Sequence, residues 1–369
     1  MCMLFILDAK VKTNSKKFFK SSFSIALFII ALIHLVSFFN SENHLSYLDE
    51  IKNKIPFLFI PISLLTVEKV DEKKIQFIFI FFISCCVISS VYSYYHYRID
   101  LANNLELYSK GEVMKTIVHH IYYSVLCSIG CIFCVEILFK TTSNFIKLAL
   151  GIVLFWLYVF IHVMSVRTGI FSVYFLILLY IFLHFISTRK YMYLAGFIGL
   201  IIVIGFMLFE KIPTIKNKID YTKYSFEQLK NNTDSLNNYS DPRRILSDKL
   251  GIEIIQKNKL VGVGIGDVQD ELNTIYKTRY PNFSSAVYAR IHNQYLETTA
   301  SLGLPLGIVF IICLMFPLFY FVRKKDHLFI TIYSSILVVM CWEPFLKTQI
   351  GTSIFLIISC IGFNRNRES

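Results

Sequence analysis

Residues 290–303 read Arg290-Ile-His-Asn-Gln-Tyr-Leu-Glu-Thr-Thr-Ala-Ser-Leu-Gly303. The stretch opens polar and charged, then runs without a break into an apolar segment that extends to roughly residue 322. Leu296, Ala300 and Gly303 begin a helix that enters lipid, so the imidazole of His292 falls at the membrane surface. Working outward, the rest of the chain must supply the other spans of a membrane bundle.

Composition agrees. The 369 residues are 55% hydrophobic and only 17% charged, with a mean hydropathy of +0.57. A soluble protein of this size needs far more polar surface. Windows long enough to cross about 30 Å of hydrocarbon fall at roughly 22–39, 55–67, 75–95, 117–139, 146–166, 170–187, 191–209, 298–322, 328–342 and 349–363. The second and ninth are short and suit a bent, tilted or partly re-entrant segment. Lys10, Lys12, Lys16, Lys17 and Lys20 precede a first span with no small-residue cleavage site after it, which reads as a retained helix.

The expected fold is therefore all-α: a polytopic helical membrane protein with about ten transmembrane helices and one long outer loop containing surface helices. Residues 1–209 form an N-terminal bundle of about seven spans, 210–297 the long loop, and 298–369 about three further spans with a short cytoplasmic tail. With both termini cytoplasmic, the inside segments collect 17 Lys and Arg and the short outside segments 7, while the remaining 13 belong to the long loop. That asymmetry puts the long loop outside the cytoplasm, which in a bacterium would be the periplasmic face of the inner membrane. Eight of the nine cysteines lie in apolar runs, so they read as small core residues; this includes Cys127, Cys131 and Cys134 at helical spacing.

Within the long loop, Asn231, Asn232, Asn237, Asn238, Asp241 and Pro242 mark turns. From Arg243 to Leu260, the residues Ile245, Leu246, Leu250, Ile254 and Ile255 recur at helical intervals, as in a helix lying on the membrane surface. Val261-Gly-Val-Gly-Ile-Gly266 then turns the chain sharply, and Gly303-Leu-Pro-Leu-Gly307 reads as close helix packing with a bend. The glycine spacing is not a nucleotide fingerprint. The loop's small net positive charge favours an anionic ligand at the membrane and not nucleic acid.

Three positions carry candidate chemistry. Arg167 sits between two spans at the outer mouth, either as an interfacial anchor or as a grip on phosphate. Arg243 and Arg244 open the surface helix, as lipid-headgroup contacts or as ligands for an anion. His292, with Asn293, either caps the following helix or acts as a general base near neutral pH.

Four pieces in order resemble the O-antigen ligase and O-antigen polymerase superfamily of bacterial membrane glycosyltransferases. They are Ser165-Val-Arg167-Thr-Gly169; Arg244 with the run to Gly266; His292-Asn-Gln-Tyr-Leu-Glu297 with Gly303 beyond; and Glu343 before Gln349-Ile-Gly351. Val166 stands where the family usually has serine before the arginine. The resemblance implies transfer of a glycan from a polyprenyl (undecaprenyl) diphosphate carrier to a sugar hydroxyl of lipid A core oligosaccharide, in lipopolysaccharide biosynthesis. A polymerase, joining carrier-linked repeat units, shares the donor and is the alternative; a lipid or solute transporter is a more distant one. Under this reading Arg167 and Arg244 clamp the leaving diphosphate, His292 takes the acceptor's proton, and Arg243, Asn293, Tyr295 and Glu297 contact substrates. No cofactor and no metal is called for, since neutralising a diphosphate is an electrostatic task.

Overall fold

The computed structural model describes residues 21–66, 69–231 and 240–367. The five N-terminal lysines and Asn232, Asn237 and Asn238 lie outside the described residues. The described chain is helical, in the order α1 (Ser22–Val36), α2 (His44–Ile51), α3 (Pro56–Thr66), α4 (Glu72–Ile99), α5 (Leu101–Ser109), α6 (His120–Lys140), α7 (Asn144–Met164) and α8 (Arg167–Ser187). It continues through α9 (Tyr191–Lys211), α10 (Pro213–Asn231), α11 (Ser240–Lys257), α12 (Val268–Arg279), α13 (Gln294–Lys324), α14 (His327–Val339) and α15 (Gln349–Asn366). Every apolar window of the sequence holds a helix. Among the described residues six are long and apolar enough to cross a membrane: α1 with its following 3-10 turn, α4, α6, α7, α8 and α13. The protein is thus an all-helical, polytopic membrane protein.

Two compact units divide the chain, residues 71–227 in one and residues 1–70 with 228–369 in the other. In the 71–227 unit, α6 is the central helix and packs against α4, α7 and α8. Its small side chains explain why it can be enclosed. Ser124, Cys127, Ser128, Cys131 and Cys134 are all buried, and small residues let helices approach closely where lipid supplies no hydrophobic drive. Ser128 Oγ donates to the Gly169 carbonyl of α8 at 3.2 Å.

In the other unit α13 packs against α1 and α11. Gly303 interrupts it with φ 79° and ψ 168°, a backbone region open essentially to glycine alone. The break leaves carbonyls without their helical partners, and the glycine run supplies replacements. Val263 N–H donates to Ala300 O at 3.0 Å and Gly264 N–H to Ser301 O at 2.9 Å, the carbonyl that Pro305 cannot serve. In return, Leu304 N–H donates to Lys259 O at 2.8 Å. Gly262, at φ 74°, has no room for a side chain, since a Cβ there would lie 2.5 Å from Gly303 N.

The surface helix expected from Arg243 onward is α11, but its apolar side does not face lipid alone. Leu250 and Ile254 join Leu272, Ile275, Tyr276, Ile291 and Ala300 in a small core between α11, α12 and the head of α13. Asp241 and Pro242, expected as a turn, lie in the first turn of α11. Proline is tolerated there because that N–H has no helical acceptor.

Gly303→Ala should lower the apparent melting temperature in detergent, by the equivalent of about 1–3 kcal/mol, because a Cβ would meet Leu260 O at 2.5 Å. Gly199→Ala in α9 has nothing within 4 Å and should leave the melting temperature unchanged or slightly raised.

Candidate functional site

The site is assembled from α11, the extended segment before α13, and the loop between α14 and α15. Arg244, in the second turn of α11, pairs with Glu343 at 2.6 Å; the Glu343 side chain is 5% exposed and that of Arg244 34%. One turn further along α11, Asp248 accepts the backbone N–H of His292 at 2.7 Å. Between Arg290 and His292, Ile291 is buried against Gly251 of α11. The alternation typical of extended chain therefore anchors the apolar residue inward, leaving Arg290 exposed and His292 half-buried.

Asn293, and not His292, is the cap of α13. Its side chain accepts from Tyr295 N at 2.9 Å and Leu296 N at 3.1 Å. The imidazole is engaged differently: His292 Nδ1 lies 2.7 Å from the Arg290 carbonyl. A carbonyl only accepts, so Nδ1 carries the proton and Nε2 presents its lone pair. Burial pulls the His292 pKa down to about 3, helped by Arg244 and, less strongly, by Arg290 and Arg243, against the opposing bond to the Arg290 carbonyl. His292 is thus held towards the neutral form by burial and by the field of three arginines.

Of the other expected contacts, Tyr295 donates its hydroxyl to Leu337 O at 2.8 Å. Glu297 is buried and pairs with Lys347 at 3.1 Å. These side chains support the head of α13. Arg243 contributes to the field at His292. Asp248 and Lys347 were not singled out in the sequence. Asp248 binds a backbone group 44 residues away, a relation that helical spacing does not reveal.

Arg167 belongs to the 71–227 unit, where it is the first residue of α8 and is exposed. The turn before it is tight: Ser165 adopts φ 51° and donates its hydroxyl to Thr214 Oγ1 at 2.7 Å and to His162 O at 2.8 Å. That bond ties the start of α10 to the turn. A cleft of about 370 Å³ follows, lined by Arg167, Lys218 and Lys223 over Ile170, Phe171 and Ile219. Its surface is nearly all apolar, and the Lys218 ammonium is engaged by the Gly111 carbonyl and the Tyr221 ring. Among the described residues, no group of three or more His, Cys, Asp or Glu is placed to hold a metal ion.

The site lies at the head of a helix that continues into an apolar run, in a polytopic helical membrane protein. Residues 150–312 match the family model described as O-antigen ligase, and that match supports the resemblance to the O-antigen ligase and polymerase superfamily. The matched span contains Arg167, Arg243, Arg244 and the His292–Glu297 stretch, and ends before Glu343. No match to a curated protein is found. The family implies a glycosyltransferase-like enzyme acting on lipid-linked glycans.

Histidine NMR of the protein in nanodiscs should show a neutral His292 ring at pH 5, and Arg244→Ala should raise its pKa. The sign for stability follows. The folded value lies below the usual 6.5, so unfolding takes up a proton between those values. The contribution of His292 is complete above about pH 6.5 and is lost as pH falls towards about 3.

Proposed function

We propose that this chain is an O-antigen ligase, moving a glycan from an undecaprenyl diphosphate carrier to a sugar hydroxyl of lipid A core oligosaccharide at the periplasmic face of the inner membrane. The observation that carries the reading is the His292 ring, its Nδ1 held by the Arg290 carbonyl so that Nε2 presents a lone pair, in the positive field of Arg244, Arg290 and Arg243. A diphosphate is an anion, and its departure with the bonding electrons is eased by fixed positive charge. Arg244 faces that charge as it grows. Glu343 holds the guanidinium in place.

The acceptor hydroxyl gives its proton to His292 Nε2 as its oxygen bonds to the anomeric carbon. The bond from that carbon to the carrier diphosphate breaks, and the electron pair leaves on the diphosphate. Attack from the face opposite the leaving group gives inversion. A pKa near 3 makes a weak base; a bound diphosphate offsets the share of the depression that comes from the arginines, the larger share being burial. Donor binding therefore raises the basicity of His292 when a base is needed, and the empty enzyme keeps the ring neutral. Arg243 is a further contact to the anion, while Asn293, Tyr295 and Glu297 keep the helix head in place. The resemblance assigns Arg167 to phosphate as well.

In reconstituted membranes with carrier-linked glycan, His292→Ala should reduce kcat by about 10²–10⁴-fold and Arg244→Ala by about 10²–10³-fold. Normal product from either folded variant would remove its assigned role. Lipopolysaccharide gels of a deletion strain decide the acceptor: a core without any long-chain glycan supports the ligase, and a core bearing a single repeat unit supports the polymerase.

A further inference from the structure

Four charged side chains cluster within one unit, on three stretches of chain; Glu297 and Lys54 are buried, while Lys347 and Glu50 are partly buried. Lys347, 10% exposed, lies 3.1 Å from Glu297 and 3.4 Å from Glu50. Lys54 is fully enclosed and donates to the carbonyl of Leu346. Around them, Asn53 donates to Lys347 O at 2.9 Å, and the Gln294 side chain accepts from Leu346 N–H at 2.7 Å. Gln294 N–H donates to Met340 O at 2.9 Å.

Burying charges is costly, and apolar side chains of similar volume often stabilise a fold as well or better. What such a network provides is one defined geometry. Burial works against the Lys347 ammonium, yet Glu297 and Glu50 outweigh it and hold its pKa above the ordinary value. Burial takes Lys54 down to about 8 despite the same two carboxylates. The place of the network in the chain shows what it holds. Gln294 and Glu297 follow His292 directly on the head of α13, and Lys347 shares a short loop with Glu343, the partner of Arg244.

We propose that Lys347 and Glu297 are positioning residues, whose buried ion pair fixes the 343–348 loop against the head of α13 so that Glu343 holds Arg244 beside His292. This rests on the roles assigned above to Arg244 and His292. Without the pair, the loop is free to shift and Arg244 loses its orientation towards the anion.

The test uses the full-length protein in nanodiscs and the double variant Glu297→Gln/Lys347→Met. Removing one charge of each sign leaves Glu50 and Lys54 to balance each other, so the double variant should melt closer to wild type than Lys347→Met alone, which strands a buried carboxylate. Undecaprenyl diphosphate is the probe. Its binding should weaken about tenfold, and histidine NMR should show the His292 pKa raised, while Lys347→Arg keeps both near wild type. Glu343→Gln, with the ionic network intact, should reproduce both changes and serves if the double variant does not fold. Wild-type binding and an unshifted His292 in a folded double variant, or in Glu343→Gln, would overturn the positioning role. That result is separate from failure of the functional reading, which would appear as wild-type protein that does not bind the probe or as His292→Ala protein that still transfers glycan.

Discussion

Breaking a helix inside a packed protein exposes backbone carbonyls that must find donors, because a buried carbonyl without one costs free energy comparable to a lost hydrogen bond. In α13 that demand falls on Ala300 and Ser301, and it is met by the amides of Val263 and Gly264. The glycine run therefore has to lie against the helix at this point. Gly262 and Gly303 approach so closely that neither has room for a Cβ. Once the run is fixed, so are the elements on either side: α11 before it, with Arg244 and Asp248, and α12 after it. The run also reaches α1 and the turn beyond, since Ile265 N–H donates to Ser37 Oγ at 3.0 Å and Asp267 accepts from the amides of Glu42 and Asn43 at 2.9 and 2.8 Å. One backbone discontinuity thus determines where the loop, the first helix and the head of α13 meet.

The electrostatics of the site build on that frame. Asp248 fixes the chain at His292 through the backbone, and the Arg290 carbonyl fixes the tautomer. Neither contact occupies Nε2. Burial raises the pKa of the Asp248 carboxyl, a trend the His292 amide and Arg244 oppose. Arg244 is held by a charged partner, Glu343, which is buried while the guanidinium is one-third exposed. The ion pair therefore orients a cation that stays accessible. In the functional reading proposed, this is what a site for a membrane-bound diphosphate needs, because a mobile side chain would lose more entropy on meeting the anion.

Much of this was legible in the sequence. The apolar windows located the helices, because a long run with few charges has few alternatives in a membrane protein. Short elements such as α3 and α14 were visible as short runs, and the bend at Gly303 followed from the glycine and proline chemistry of residues 303–307. Arg244 and His292 were marked by their places at the openings of α11 and α13. The face of α11 was harder to read. Its apolar residues recur at intervals that suit a membrane surface or a protein core equally, and only the presence of α12 and Ile291 decides for the core. Capping was also ambiguous: His292 and Asn293 are adjacent, and a single backbone torsion determines which one turns back on the helix.

The pairings between distant residues were hidden for a more general reason. Glu343 lies 99 residues from Arg244, and a carboxylate in a short polar loop looks like any solvated surface charge. Its burial depends on the loop being drawn inward, which in turn depends on Lys347 finding Glu297 and on Gln294 receiving the Leu346 amide. None of these side chains is unusual by itself. Each becomes informative only through its partner, since a buried charge is tolerable when paired and hydrogen-bonded and prohibitive when alone. The exposed members of the site and its buried supports therefore impose opposite demands on sequence. A cation at the surface can be recognised by position, whereas a charge in the interior can be understood only after the fold has shown what neutralises it.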